Sequence, residues 1–175
     1  ITVGDHKIPK SVEVRNIGAF FDRHCKMDAQ VTKTSQTAWF HLFRISKIRQ
    51  FLTTDQAKCL IHAYVTSRLD QNNGLLCGVP SILIQRLQRI QNAAAKVILG
   101  GKKRDHVTPL LKELHWLPIQ LRFIYKVLLT AYKAQHGNAP AYITALLKPY
   151  QCERETRSSA MNFLHVPPTT CVKYG

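Results

Sequence analysis

The sequence predicts a mainly α-helical fold with a small antiparallel β element at its N-terminus. Apolar residues alternate at period two only up to about residue 24, and recur near every 3.6 residues from about residue 28 onward. Proline and glycine interrupt the helical part at short intervals, so it divides into about five to six helices. With 45% apolar residues in 175, the chain can bury a core. No apolar run reaches the roughly 18–20 residues that a membrane span needs.

The elements follow in order. Ile1 and Val3 alternate, Gly4-Asp5 is a turn signal, and Pro9 ends the pattern. Val12, Val14 and Asn16 then alternate with Glu13 and Arg15, and Ile17-Gly18-Ala19-Phe20-Phe21 reads as a more buried run. Gly18 there suggests a bulge or a close backbone approach. Such short strands need something to pack on. Val31, Ala38, Leu42, Ile45 and Leu52 share one side of a helix over about 29–51. Thr53-Thr54-Asp55-Gln56 is a capping box, starting a helix to about 69. Asn73-Gly74, Gly78 and Pro80 mark a loop, and a third helix over about 81–98 ends at Gly100-Gly101. Thr108-Pro109 predicts a cap and a first-turn proline for a short helix through Leu114. Pro118 opens a fifth helix that Gly137 closes, and Pro140 opens a last short one. Beyond Tyr150 the chain is polar, with Pro167-Pro168, and a mobile tail is expected. No repeat of solenoid period occurs.

Lys plus Arg is 25 against 10 Asp plus Glu, a formal charge of +15. That balance favours polyanions, so the candidate partners are nucleic acid, an anionic membrane face or an acidic protein. Residues 71–104 contain no acid, yet hold Arg86, Arg89, Lys96, Lys102, Lys103 and Arg104. On a helical wheel Arg86, Arg89 and Lys96 fall within about 80°, on the other side from Ile84, Leu87, Ala94 and Ile98. On the fifth helix Arg122, Lys126 and Lys133 fall within about 40° of one another. Most of its remaining circumference is apolar, so it should be largely buried with a narrow cationic stripe. Rows of cations suit the regularly spaced phosphates of a nucleic acid. The Gly100–Arg104 loop adds backbone N–H groups but lacks P-loop spacing.

Little points to chemistry. No Asp-Asp pair exists for a two-metal site, and Asp22 and Asp28 read as surface or cap residues. Cys59 and His62 fit one helical turn, but no second pair completes a zinc site. The odd cysteine count, at Cys25, Cys59, Cys77, Cys152 and Cys171, predicts reduced intracellular thiols. His115-Trp116 reads as a packing pair. Trp39, Phe40 and Phe43 could stack on bases, but three aromatics on one helix read first as core. The start has no secretion signal and no initiator Met, so we expect a piece of a longer chain.

Several blocks in order resemble a known family. Val14-Arg15-Asn16-Ile17-Gly18 and Phe21-Asp22 are followed by Ile61-His62-Ala63-Tyr64-Val65-Thr66-Ser67-Arg68-Leu69-Asp70. Then come Arg86-Leu87-Gln88, Gln91-Asn92-Ala93-Ala94-Ala95-Lys96, His106-Val107-Thr108-Pro109 and Leu114-His115-Trp116-Leu117-Pro118. The pattern resembles the reverse transcriptases of non-long-terminal-repeat (LINE-type) retrotransposons, nearest to the jockey and chicken-repeat clades, over about residues 10–150. Two departures stand out. Many relatives read Leu-Asp-Tyr-Cys-Asn at Leu69-Asp70-Gln71-Asn72-Asn73, and many have Arg at Lys96, whose ammonium lacks the bidentate fork.

The resemblance implies residual palm-type strands over 1–27, a helical thumb-like bundle over 28–149 and a tail over 150–175. The family's Asp-Asp box, fingers and endonuclease are not in this sequence. The implied role is noncatalytic: gripping the backbone of an RNA–DNA hybrid or duplex during target-primed reverse transcription. The polymerase, with its Mg, would be supplied by the missing palm and fingers. The segment itself should bind no cofactor, metal or membrane. A helical protein-interaction module and an inert remnant of a decayed element are the alternatives. The nucleus is the compartment the resemblance suggests.

Overall fold

A computed structural model of the chain describes residues 2–3, 6–7, 11–102, 104–150 and 163–166. Contacts group the chain into two compact units, Ile1–Lys126 and Val127–Gly175. The fold is mainly helical, with a small antiparallel β element near the N-terminus.

In the first unit, β1 (Thr2–Val3) pairs antiparallel with β2 (His6–Lys7), and β3 (Glu13–Asn16) with β4 (Ala19–Asp22). Asn16 faces Ala19, so Ile17 and Gly18 form a two-residue turn, with φ of 47° and 80°. A turn with both residues at positive φ matches the twist of its strands. Gly18 is therefore a hairpin turn and not a bulge. The close approach is present, since a Cβ on Gly18 would sit 2.7 Å from Gln71 Nε2. Ile17 departs from the buried run expected there: it is 89% exposed at the hairpin tip.

A loop joins β4 to α1 (Asp28–Ile48), with Cys25 and Met27 at positive φ. The Asp22 carboxylate holds it: Oδ1 accepts from the N–H groups of His24 (2.9 Å) and Lys26 (3.0 Å), and Oδ2 from Met27 (2.8 Å). These bonds, that of Lys26 foremost, hold the carboxyl below its ordinary value.

Helix α1 buries Val31, Ser35, Ala38, Leu42 and Ile45, a spacing of four and three that keeps one stripe inward. It packs along α4 (Ser81–Leu99), which buries Leu83, Leu87, Ile90, Gln91, Ala94, Ala95 and Ile98. At the end of α1, Arg49 donates from Nε to Val97 O, from Nη2 to Ile98 O and from Nη1 to Leu52 O, all within 2.8 Å. The guanidinium thus satisfies carbonyls at the C-terminus of α4, which have no partner within their own helix.

The Thr53–Gln56 capping box is formed on both sides and starts α2 (Thr54–Ile61). The expected continuous helix to about 69 instead passes through a π turn (His62–Thr66) before α3 (Ser67–Asp70). Ser67 N donates to His62 O there, and Ile61, Val65 and Leu69 all stay buried. Helix α4 closes on Gly100 in the left-handed region. Helix α5 (Val107–Glu113) starts one residue ahead of the expected cap: His106 is the N-cap, and Pro109 sits in the first turn. A backbone N–H at that position would have no helical partner, so proline's lack of one costs nothing. His115 turns left-handed (φ 54°), and Trp116 N donates to Leu111 O at 2.8 Å, ending the segment.

Helix α6 (Ile119–Gln135) begins in this unit, where Ile119 and Phe123 are buried. The expectation of a largely buried helix is not met. In this unit Leu121, Ile124 and Tyr125 are 48, 39 and 57% exposed, because the bundle offers α6 only the edge carrying Ile119 and Phe123.

In the second unit, Val127, Leu128 and Tyr132 are exposed and Ala134 is buried. Gly137 (φ 72°) closes α6, and Asn138 N donates to Lys133 O at 2.8 Å. Pro140 opens α7 (Ala141–Thr144). Residues 163–166 pair back on the chain: Tyr150 N donates to Phe163 O and His165 N to Lys148 O, both at 2.8 Å. The rest of the expected mobile tail lies outside the described residues.

Two outcomes test this packing. Leu87→Ala should cost about 2–5 kcal/mol by denaturant melt, since a fully buried Leu leaves a cavity. For Asp22, a folded value below the unfolded one contributes stability in full above the unfolded value, and this is lost as the pH falls through the folded one. Acid titration of Tm should therefore show a component that disappears in Asp22→Asn.

Candidate nucleic-acid interface

The predicted cations separate into three kinds once placed. Arg89, on α4, is exposed and points away from the buried stripe of that helix. Arg86, three residues earlier, is half-buried, and its Nη1 donates to Thr32 Oγ1 on α1 at 3.4 Å. Lys96 is half-buried beside Gly101, where an added Cβ would lie 3.4 Å from Lys96 Cγ. Its stem therefore covers the end of the helix.

The loop after α4 is less open than its glycines suggest. Lys102 N donates to Asp105 Oδ2 at 2.6 Å, and Asp105 N donates back to Lys102 O at 3.2 Å. One acid just outside the acid-free stretch thus occupies a backbone N–H that was expected to face a phosphate. The side chains of Lys102 and Arg104 are exposed, and Lys103 lies outside the described residues.

Arg122 is a correction. Its side chain is 15% exposed, and Nη1 donates to both carboxylate oxygens of Asp70, at 2.9 and 2.8 Å. Nε also donates to Leu117 O at 3.2 Å. A wheel drawn on one helix shows no acid, but the acid comes from α3. Arg122 joins α6 to α3 and is not open to a ligand. Lys126 is exposed over Gly74 in the first unit, and Lys133 is exposed in the second.

Amides of α4, one of them buried, position this part of α6. Gln91, 1% exposed, donates from Nε2 to Leu117 O at 2.8 Å. Gln88 Nε2 donates to Gln91 Oε1 and Asn92 Oδ1, while Gln88 Oε1 accepts from Ile119 N.

The aromatics of α1 were expected in the core and lie outside it. Trp39, Phe40 and Phe43 are 44, 55 and 59% exposed. The Val31–Ile45 stripe already fills the inward arc, and the three rings follow it round the helix by about 40–140°. Arg44 lies 5.1 Å over the Phe40 ring and Lys47 4.5 Å over Phe43. Trp116, by contrast, is buried and meets His62 edge-on at 5.6 Å, while His115 is exposed.

One basic site was missed. A cleft of about 230 Å³ opens between the β3–β4 hairpin, α1 and α3, lined by Arg15, Lys33 and Arg68 with Thr34, Thr37 and Gln71. These cations stand on three elements far apart in sequence, so no single window or wheel collects them.

Among the described residues, no three His, Cys, Asp or Glu side chains gather as a metal would require. Cys25, Cys59 and Cys77 are free, and Cys152 and Cys171 lie outside the described residues. No described helix is long and apolar enough to cross a membrane. No protein-family model, curated protein or solved structure matches this chain.

Arg122→Gln should lower stability by on the order of 1–2 kcal/mol, because Arg122 is more enclosed than its partner Asp70, which solvent still screens. A double-mutant cycle with Asp70→Asn should show coupling between them. Additive effects in the melts would remove the pair as a structural contact.

Proposed function

We propose that the chain is a noncatalytic module that grips nucleic-acid backbone, the thumb-like part of a LINE-type reverse transcriptase whose polymerase carboxylates lie outside this sequence. The observation that carries the reading is the outward face of α4 and the loop after it: cations without one acid between residues 71 and 104, on a chain of charge +15. Phosphate contacts position a duplex without reading its sequence, so low sequence preference follows. On this reading the partner is an RNA–DNA hybrid or duplex, and the parent enzyme's divalent metal is held by the missing palm. The nucleus would be its place of action.

The site is revised from the sequence expectation. Arg89, Lys102 and Arg104 carry the backbone contacts, with Arg86, Lys96 and Lys126 as flanking charge; Lys133 is a separate exposed cation of the second unit, and Arg122 is structural.

Binding to a duplex should weaken steeply with salt. Replacing Arg89, Lys102 and Arg104 with Gln should reduce the slope of log affinity against log salt by about 2–3, roughly one per lost phosphate contact. An unchanged slope removes this face from the interface.

The exposed apolar residues Leu121, Ile124 and Tyr125 favour a second reading, a helical module that docks on protein. Competition separates the two. Displacement of the bound partner by short duplex supports nucleic acid, and displacement by heparin alone supports an acidic protein partner. The inert-remnant alternative predicts no cooperative melt.

A further inference from the structure

We infer that the cleft between the β3–β4 hairpin and helix α1 is a seat for a phosphate oxyanion, held by Arg15, Lys33 and Arg68. The three side chains are exposed, and among the described residues no carboxylate lines the cleft with them. Arg15 and Lys33 stand 5.6 and 5.9 Å from the centroid of one ring, Phe20. That ring orients both cations but neutralises neither. Arg68 reaches the same space from α3. Like charges gathered on one concave surface repel one another, and an anion placed among them turns that repulsion into attraction.

The remaining lining suits the same ligand. Thr34, Thr37 and Gln71 bring hydroxyl and amide groups able to donate to oxygen. The volume is below the roughly 300 Å³ at which pockets for drug-sized ligands begin, so a single phosphate group fits better than a whole cofactor.

The walls are fixed before any ligand arrives. Phe20 N donates to Gln30 Oε1 at 2.9 Å, and Asn72 Nδ2 donates to Ile17 O at 3.3 Å. The hairpin is thereby tied to α1 on one side and to the segment after α3 on the other. Holding cations in place beforehand removes part of the ordering cost of binding.

The cleft shares no residue with the α4 face, so this inference stands whether or not the proposed duplex grip does. The phosphate could be a terminal monoester or a diester of the backbone.

The test uses the full chain and follows Tm in sodium phosphate against sodium chloride at matched ionic strength. The wild type should gain a saturable rise, about 5–10 °C at a hundredfold excess over Kd. Lys33→Gln with Arg68→Gln should lose that rise while keeping a cooperative melt in chloride. Arg15→Gln alone should weaken it, and Lys112→Gln, an exposed cation outside both proposed sites, should keep it. Two single-stranded 12-mers then separate the sources. Stabilisation by the 5′-phosphorylated strand alone supports a monoester end, and stabilisation by both that strand and its 5′-hydroxyl counterpart supports a diester. No rise beyond chloride in the wild type, or an undiminished rise in the double variant, overturns the inference. A flat duplex salt slope with an intact phosphate response would sink the α4 reading alone.

Discussion

The placement of the start of α6 depends on two amides of α4, the buried Gln91 and the half-buried Gln88. A fully enclosed amide is tolerable only if its donors and acceptor are used. Here they are spent on the chain entering α6: Gln91 holds the Leu117 carbonyl and Gln88 the Ile119 N–H. The Leu117 carbonyl also receives Arg122 Nε, which leaves the rest of the guanidinium facing Asp70. Arg49 does comparable work at the C-terminal end of α4, taking the carbonyls of Val97 and Ile98. Both polar fastenings belong to α4, the helix whose outer face carries the proposed interface. Its orientation is therefore fixed at two points and not by apolar packing alone.

The helices were legible because their signals are local. The Thr53 capping box, Gly100 and the apolar spacing of α1 and α4 each lie within a few residues of the effect they produce. The failures were of two kinds. Thr108-Pro109 has the chemistry of a cap, yet the helix starts earlier because a proline is equally harmless later in the first turn. The apolar circumference of α6 predicts burial, but period alone does not say how many neighbours a helix has. That depends on tertiary packing.

The site was legible only as a supply of charge. The acid-free stretch correctly marks Arg89, Lys102 and Arg104 as exposed cations. It could not reveal that Asp105 would turn back on Lys102 N, or that Asp70 would reach Arg122 from another helix. The cleft of Arg15, Lys33 and Arg68 was hidden for the same reason. Charge pairing is decided between elements, whereas a wheel sees one element at a time. The aromatics of α1 fell to a related error: ring size argued for burial, although the inward arc was already full.

The π turn at His62–Thr66 acts as a phase adjuster. A strictly regular helix advances 100° per residue, so Ile61, Val65 and Leu69, four apart, would drift by about 80° over their span. The wider turn absorbs that drift, and all three remain inside. Excising one residue from this turn would restore regularity and leave Leu69 about 20° from Ile61, still inside. Forcing the turn regular with every residue kept would instead swing Leu69 round by about 80°, carrying Asp70 off its guanidinium and Arg68 out of the hairpin cleft. The wide turn thereby keeps the core, the ion pair and the basic recess in phase.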